Sequence, residues 1–112
     1  MRSIRNKVQL IGNLGAHPEV KELENGLKLA KFSLATNDHY TNADGEKVTE
    51  TDWHQVVAWN KTAELIENYL KKGSEVALEG KLSTRSWQDE SGQKRYATEV
   101  ICQEILFLDN KV

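Results

Sequence analysis

Asp52-Trp53-His54-Gln55-Val56-Val57-Ala58-Trp59-Asn60 opens as a strand and hands the chain over to a helix. In an extended segment the two tryptophans, six positions apart, fall on one face together with Gln55. Their Cα atoms would then lie roughly 20 Å apart, too far for the rings to pack on each other in one core layer. Asn60 is a candidate cap for the helix that follows, in which Leu65, Ile66, Tyr69 and Leu70 make an apolar stripe and Lys71-Lys72-Gly73 a stop. Strict alternation resumes over 75–85, with Val76, Leu78, Gly80, Leu82 and Thr84 on the inner side and Glu79, Lys81, Ser83 and Arg85 on the outer. Trp87 continues the outer set. A strand, a short amphipathic helix and a second strand are therefore consecutive, and this unit decides what fold the rest can complete.

On the amino-terminal side, 7–14 reads as a strand with Val8, Leu10, Gly12 and Leu14 on one face, ended by the stretch from Gly15 to Pro18. Glu24-Asn25-Gly26 marks a turn, and 27–36 is a second strand whose Ala30, Phe32 and Leu34 share a face. The polar segment 37–51 lacks apolar periodicity and reads as a long loop or mobile hairpin arm around Asp44-Gly45, with Tyr40 near its base. The third strand spans 51–59. On the carboxy-terminal side Asp89-Glu90-Ser91-Gly92 is a hairpin turn, and 94–108 is the last strand, bent near Cys102 to Glu104 where polar and apolar residues change sides. The order β-β-β-α-β-β matches an all-β OB-fold, a five-stranded Greek-key barrel with a helix between strands three and four. No repeat or linker divides the 112 residues, so one domain over 1–112 is expected.

Tyr40, Trp53, Trp59 and Trp87 sit in polar surroundings where a core would not place them. Spaced aromatics on a sheet present flat surfaces to successive bases of a single strand, a mode that needs no sequence readout and contributes about 1–3 kcal/mol per stacked base. The competing structural reading packs Trp53 against the loop and Trp59 on the helix. A formal net charge of −2 opposes nucleic-acid binding on average. The distribution is uneven, however. Acids gather at Glu19, Glu22 and Glu24 and between Asp38 and Asp52, while Arg2, Arg5 and Lys7 cluster at the start and Lys94 and Arg95 lie just beyond Trp87.

No apolar run approaches the roughly 20 residues of a membrane helix, and the basic start is not followed by the apolar stretch of a secretory signal. Cytoplasmic residence is expected. The single cysteine, Cys102, allows no internal disulfide. His17, His39 and His54 are dispersed, no close-spaced zinc pattern or nucleophile motif appears, and Gly12-Asn13-Leu14-Gly15 lacks the Lys-Ser/Thr end of a phosphate-binding loop. Neither an enzyme nor a cofactor or metal is expected. An OB-fold module for RNA, oligosaccharide or protein would use the same aromatics.

Three ordered stretches are distinctive in combination. They are Asn6-Lys7-Val8-Gln9-Leu10-Ile11-Gly12-Asn13-Leu14-Gly15 with Pro18-Glu19-Val20, then Trp53-His54-Gln55-Val56-Val57, and finally Gly80-Lys81-Leu82-Ser83-Thr84-Arg85-Ser86-Trp87 with Tyr96-Ala97-Thr98-Glu99-Val100. Together they resemble the bacterial single-stranded DNA-binding protein family, and the resemblance covers almost the whole chain. It implies an OB-fold subunit that assembles as a homotetramer and wraps single-stranded DNA in bacterial replication, recombination and repair, at the nucleoid. It places stacking aromatics at Tyr40, Trp53, Trp59 and Trp87, where members often carry tryptophan for Tyr40 and phenylalanine for Trp59. Phosphate contacts are expected from Arg5, Lys7, Lys61, Lys72, Lys81 and Arg85, whereas Gln55, Ser83 and Ser86 stand where members often carry arginine or lysine. His54 is expected near a subunit interface. Members often continue into a flexible tail with an acidic tip that recruits other proteins; this chain stops at Val112, directly after its last strand, so recruitment through such a tip is not expected of it.

Overall fold

Alternation in the sequence becomes two-sided burial in the computed structural model, which describes residues 4–108 and so leaves Arg2 of the amino-terminal cluster outside. The elements are β1 (Val8–Leu14), β2 (Glu19–Glu22), a single 3-10 turn at Glu24–Gly26, β3 (Lys28–Thr41), β4 (Lys47–Trp59), α1 (Asn60–Tyr69), β5 (Glu75–Gln88) and β6 (Lys94–Phe107). The sheet runs β1-β5-β6-β4-β3-β2, and β1 also pairs with β3. That extra pairing, Asn13 with Ala35 and Leu14 with Leu34, closes β1, β5, β6, β4 and β3 into a five-stranded barrel. All pairings are antiparallel except β4 with β6. This is the OB-fold arrangement read from the sequence, with α1 between the third and fourth barrel strands.

Inside the barrel Phe32 faces Val56 and Ala30 faces Ala58 across β3 and β4, and Val76 and Leu78 from β5 complete the layer. The helix caps one end through Ala63 and Ile66, joined by Leu70 directly after its last turn, all buried. Burying side chains of this size contributes about 1.5–3 kcal/mol each, which is why alternation in these strands is so well kept. The salt bridge from Lys28 Nζ to Glu67 Oε1, 2.6 Å, ties β3 to the helix.

The structure corrects several details of the sequence reading. The helix stripe is centred on Ala63, Ile66 and Leu70; Leu65 is exposed, and Tyr69 lies at the edge with its ring 5.6 Å from Phe107. Asn60 does not cap the helix. It takes a left-handed backbone (φ 55°), and its Oδ1 accepts a 3.4 Å hydrogen bond from the Lys28 amide, so the side chain pins the β4–α1 corner to β3 instead. Strand β2 escapes notice because it is an edge strand of Glu, Val, Lys and Glu, with only Val20 turned toward the core. Leu82 and Thr84 are exposed, because β5 leaves the barrel after Gly80. The bend expected near Cys102 is present: Glu79 pairs with Glu104 but Gly80 with Cys102, so Gln103 is the extra residue of a bulge.

The largest correction concerns 37–51, which is mostly strand. Strands β3 and β4 stay paired out to Thr41 and Lys47. Cross-strand polar contacts hold the arm, among them Thr51 Oγ1 donating to Asn37 Oδ1 at 2.6 Å and His39 Nδ1 with Thr49 Oγ1 at 3.0 Å. Asn42 Oδ1 accepts the amides of Asp44 and Glu46 at 3.0 and 2.9 Å, closing the tip. Both faces of this ribbon meet water, so it shows no apolar period. Together with the β5–β6 hairpin it stretches the molecule to 55 × 46 × 31 Å with a radius of gyration of 16.3 Å. A compact chain of this length would have about 13 Å.

Candidate nucleic-acid interface

Odd-numbered residues of β3, β4 and β5, and of β6 before its bulge at Gln103, face outward, since their even neighbours fill the core at Ala30, Phe32, Leu34, Val56, Ala58, Val76, Leu78, Val100 and Cys102. The pairings Lys31–Val57, Val57–Ile101 and Ile101–Lys81 form one continuous row across all four strands. Lys31 and Lys81 stand on the outermost of these four strands, and β2 adds Glu19 directly opposite Lys31. Trp53, Gln55 and Trp59 flank Val57 on β4, and Arg85 and Trp87 follow Lys81 on β5, all on this outer surface. Trp53 is 58% exposed, Trp59 40% and Trp87 42%, so all three indoles remain accessible. The structure thus joins Trp53, Trp59, Lys81, Arg85 and Trp87, which lie far apart in sequence, on one sheet surface.

The Trp53 ring lies over Gly15. A Cβ at Gly15 would run into Cζ3 of the ring and meet Cη2 at 2.8 Å, so one indole face is seated on the bare backbone beyond β1. Gly15 also donates its amide to Ser33 O at 3.0 Å, which fixes the seat to the platform. Gly15→Ala is expected to displace the indole and weaken oligo(dT) binding, and to add nothing when Trp53 is already alanine. A double-mutant cycle checks this; equal losses from Gly15→Ala in both backgrounds would show that the glycine acts elsewhere.

Trp87 is held by Arg85, whose guanidinium carbon lies 4.9 Å from the ring centroid. Arg85 Nε also pairs with Glu99 Oε1 at 3.2 Å. Below them the hairpin turn is braced by Asp89, which accepts bonds from the Ser91 amide at 3.0 Å, the Ser91 hydroxyl at 2.8 Å, the Gln93 amide at 2.9 Å and Arg95 Nε at 2.9 Å. These contacts, the Ser91 hydroxyl foremost, hold the Asp89 carboxyl below its ordinary pKa.

Tyr40 is 46% exposed but belongs to the even set of the arm. It shares its side with Asp38 and, across the ladder, with Val48 and Glu50, not with Trp53. A hydrogen bond to Glu50, with a smaller contribution from burial, raises the Tyr40 phenol above its ordinary pKa. Any strand touching both Tyr40 and Trp53 must follow the twist of the ribbon.

The cations are spread more widely. Lys7 Nζ pairs with Glu79 Oε2 at 3.2 Å at the foot of β1. Arg5 sits next to Asn6, which exchanges two hydrogen bonds with the Leu82 backbone at 3.0 and 2.9 Å and so holds the amino-terminal segment beside Lys81 and Ser83. Lys61 is in the first turn of α1, two residues after Trp59, and Lys72 is exposed beyond its other end. His54 faces the core side opposite Leu34, only partly exposed, and its Nε2 contacts Thr36 Oγ1 at 2.9 Å. Cys102 is buried, and desolvation pushes its thiol up to about 11, which suits a packing role. Among the described residues no group of His, Cys, Asp and Glu is arranged to hold a metal, and no helix is long and apolar enough to cross a membrane. Lys31 was missed by sequence reasoning as a platform cation; its place among the outer residues of the second strand was the available signal.

The family model described as the single-strand binding protein family matches residues 5–108. Single-stranded DNA-binding protein 1 of Chlorobaculum tepidum is 45% identical over 107 residues, covering 95% of this chain and 66% of that protein. Its namesake in Xylella fastidiosa is 43% identical, over 95% of this chain and 79% of its own. The chain thus spans two-thirds to four-fifths of the length of these relatives. Among solved structures, the Plasmodium falciparum SSB complex with ssDNA superposes with a TM-score of 0.85 at 37% identity, over 97% of this chain and 99% of that one. A deletion mutant of the single-stranded DNA binding protein from Thermus aquaticus gives 0.80 at 29%, over 95% and 51%. With the model matched over nearly its full length and these relatives above two-fifths identity, the chain belongs to the single-strand binding protein family.

Proposed function

We propose that this chain captures single-stranded DNA reversibly and without sequence preference, stacking bases on Trp53, Trp59, Trp87 and Tyr40 while Lys81, Arg85, Arg5, Lys7, Lys61 and Lys72 follow the phosphates. The observation that carries this reading is the continuous outer surface of β3, β4, β6 and β5, which bears three accessible tryptophans together with Lys31, Lys81 and Arg85. Such a surface suits a flexible strand whose bases are unpaired, since a stacked duplex hides its base faces. Bound bases are kept from pairing, which protects the strand during replication, recombination and repair. The names of the relatives and the ssDNA complex of the Plasmodium protein support the ligand. The chain is a binding protein and not an enzyme.

The rest of the reading is also proposed: one DNA-binding domain over the whole chain, four copies assembled with His54 near a subunit contact, and work in the bacterial cytoplasm at the nucleoid. Four linked surfaces raise affinity through effective concentration, with no new kind of contact.

Tryptophan fluorescence during titration with oligo(dT), with duplex DNA as control, tests the function. Strong quenching by the single strand and little by duplex is expected; no quenching and no competition at low salt would refute it. Salt dependence adds a second check. Each neutralised phosphate contributes about −0.7 to the slope of log K against log salt for single strands. Because Gln55, Ser83 and Ser86 are neutral and Lys7 and Arg85 already face Glu79 and Glu99, the slope is expected to be shallow. Substituting Gln55→Arg, Ser83→Lys and Ser86→Lys together should steepen it by about 2, at about 0.7 for each added contact; an unchanged slope would mean that phosphates do not pass these positions.

A further inference from the structure

The β5–β6 hairpin carries a cation–aromatic pair on each of its two faces. On the outer face Arg85 lies against Trp87; on the reverse face Lys94 Nζ lies 5.7 Å from the Tyr96 ring centroid. Both pairs use the same i, i+2 spacing along a strand, which keeps cation and ring on one side. The register places Trp87 opposite Arg95 and Ser86 opposite Tyr96, so the two rings stand one rung apart and point in opposite directions. Tyr96 is 64% exposed, more than any of the four aromatics discussed above. It adds nothing to the core. Around it the reverse face is polar, with Ser86, Gln88, and the Thr84 and Thr98 hydroxyls bonded at 3.0 Å. Lys94 forms no ion pair among the described residues, whereas Arg85 is held by Glu99. The reverse side thus offers an accessible ring beside an uncommitted cation, on a hairpin stiffened by the Asp89 turn.

We propose that Tyr96 and Lys94 form a second single-strand binding site, on the reverse face of the β5–β6 hairpin, so that one DNA strand rounding the hairpin tip meets Trp87 on one side and Tyr96 on the other. The site rests on the functional reading above and extends the path of the strand beyond the outer sheet surface. Tyrosine supplies the flat surface for a base or sugar, and the ammonium takes a neighbouring phosphate. A strand too short to turn the tip gains only one of the two contacts, so the contribution of Tyr96 depends on ligand length.

Oligo(dT) of graded length, titrated into the full chain and into Tyr96→Ala, Tyr96→Phe, Lys94→Gln and Trp87→Ala, tests this. Tyr96→Ala should weaken the longer oligonucleotides by about tenfold while sparing the shortest. Tyr96→Phe should bind as the parent, and Lys94→Gln should flatten the salt slope by about 0.7 on long strands only. If Trp87→Ala is weakened and Tyr96→Ala binds every length as the parent does, the reverse-face site is wrong and the outer platform stands. Should neither variant lose affinity, the stacking reading itself fails and takes this site with it. A change in sedimentation of Tyr96→Ala with unchanged affinity would make Tyr96 a subunit contact and overturn the proposal. Thermal melts within a few degrees of the parent would establish that each variant is folded.

Discussion

Trp53→Ala is expected to weaken oligo(dT) binding by about 10- to 100-fold, with Trp87→Ala close behind, while both variants melt within a few degrees of the parent. The magnitude follows from a stacked base, worth about 1–3 kcal/mol by alanine substitution. The two halves of the expectation have separate causes. Trp53 is more than half exposed, so its removal sacrifices little burial. One of its faces is seated on Gly15, so the ring is held ready and a base stacking on the free face need not order it first. Trp87 gains a similar restraint from Arg85. Equilibrium titration at fixed salt, paired with thermal melts, checks both points. Folded variants that bind as the parent does would remove stacking as the source of affinity.

How much of this was legible beforehand varies with the local physics. Barrel strands read correctly where one face is buried, as in Ala30-Lys31-Phe32-Ser33-Leu34, because burial imposes a period of two on the residues. The same rule hid the arm: Asn37 to Thr41 and Lys47 to Thr51 are paired throughout, yet both faces are wet and neither carries a pattern. Exposed tryptophans were legible as a contradiction, being large rings in polar company. Parity along β4 correctly put Trp53 and Trp59 on one side. Parity could not relate β4 to β5, since that requires the Val57–Ile101–Lys81 row, a long-range pairing that no local window contains. Tyr40 shows the reverse difficulty: expected near the base of a polar loop, it lies on a strand whose register with Val48 turns it to the side of Asp38 and Glu50.

Charge follows the same logic. A net charge of −2 describes the average surface, whereas binding depends on where the acids sit. Several stand on the arm beside Tyr40, and others among the described residues are paired with cations, Glu79 with Lys7, Glu67 with Lys28, Glu99 with Arg85 and Asp89 with Arg95. The platform row itself carries Lys31 and Lys81, with Glu19 of β2 opposite Lys31. The outer surface thus offers cations locally, while Asp38 and Glu50 share the side of Tyr40 on the arm.

Gly80→Ala is expected to lower stability by about 3 kcal/mol or more and the melting temperature by roughly 10–20 °C. At Gly80 an added Cβ would overlap the carbonyl oxygen of Ile101 and lie 2.9 Å from its carbon and 3.2 Å from Cys102 Cα. These are backbone atoms and no rotamer can move them away. Nor can the β6 backbone retreat, because Ile101 is paired to Lys81 on one side and to Val57 on the other. The missing side chain lets β5 pass close to β6 at the bulge, where β5 turns from core strand into hairpin. Gly45 provides the control. It has φ 80° at the tip of the β3–β4 arm with open space around it, so alanine there meets only the left-handed penalty of about 1–2 kcal/mol. Melting curves of the two variants side by side decide the matter: equal losses would mean that the close approach at Gly80 is relieved at little cost. A much larger loss at Gly80 would show that the bend carrying Lys81, Arg85 and Trp87 out to the platform depends on one absent methyl group.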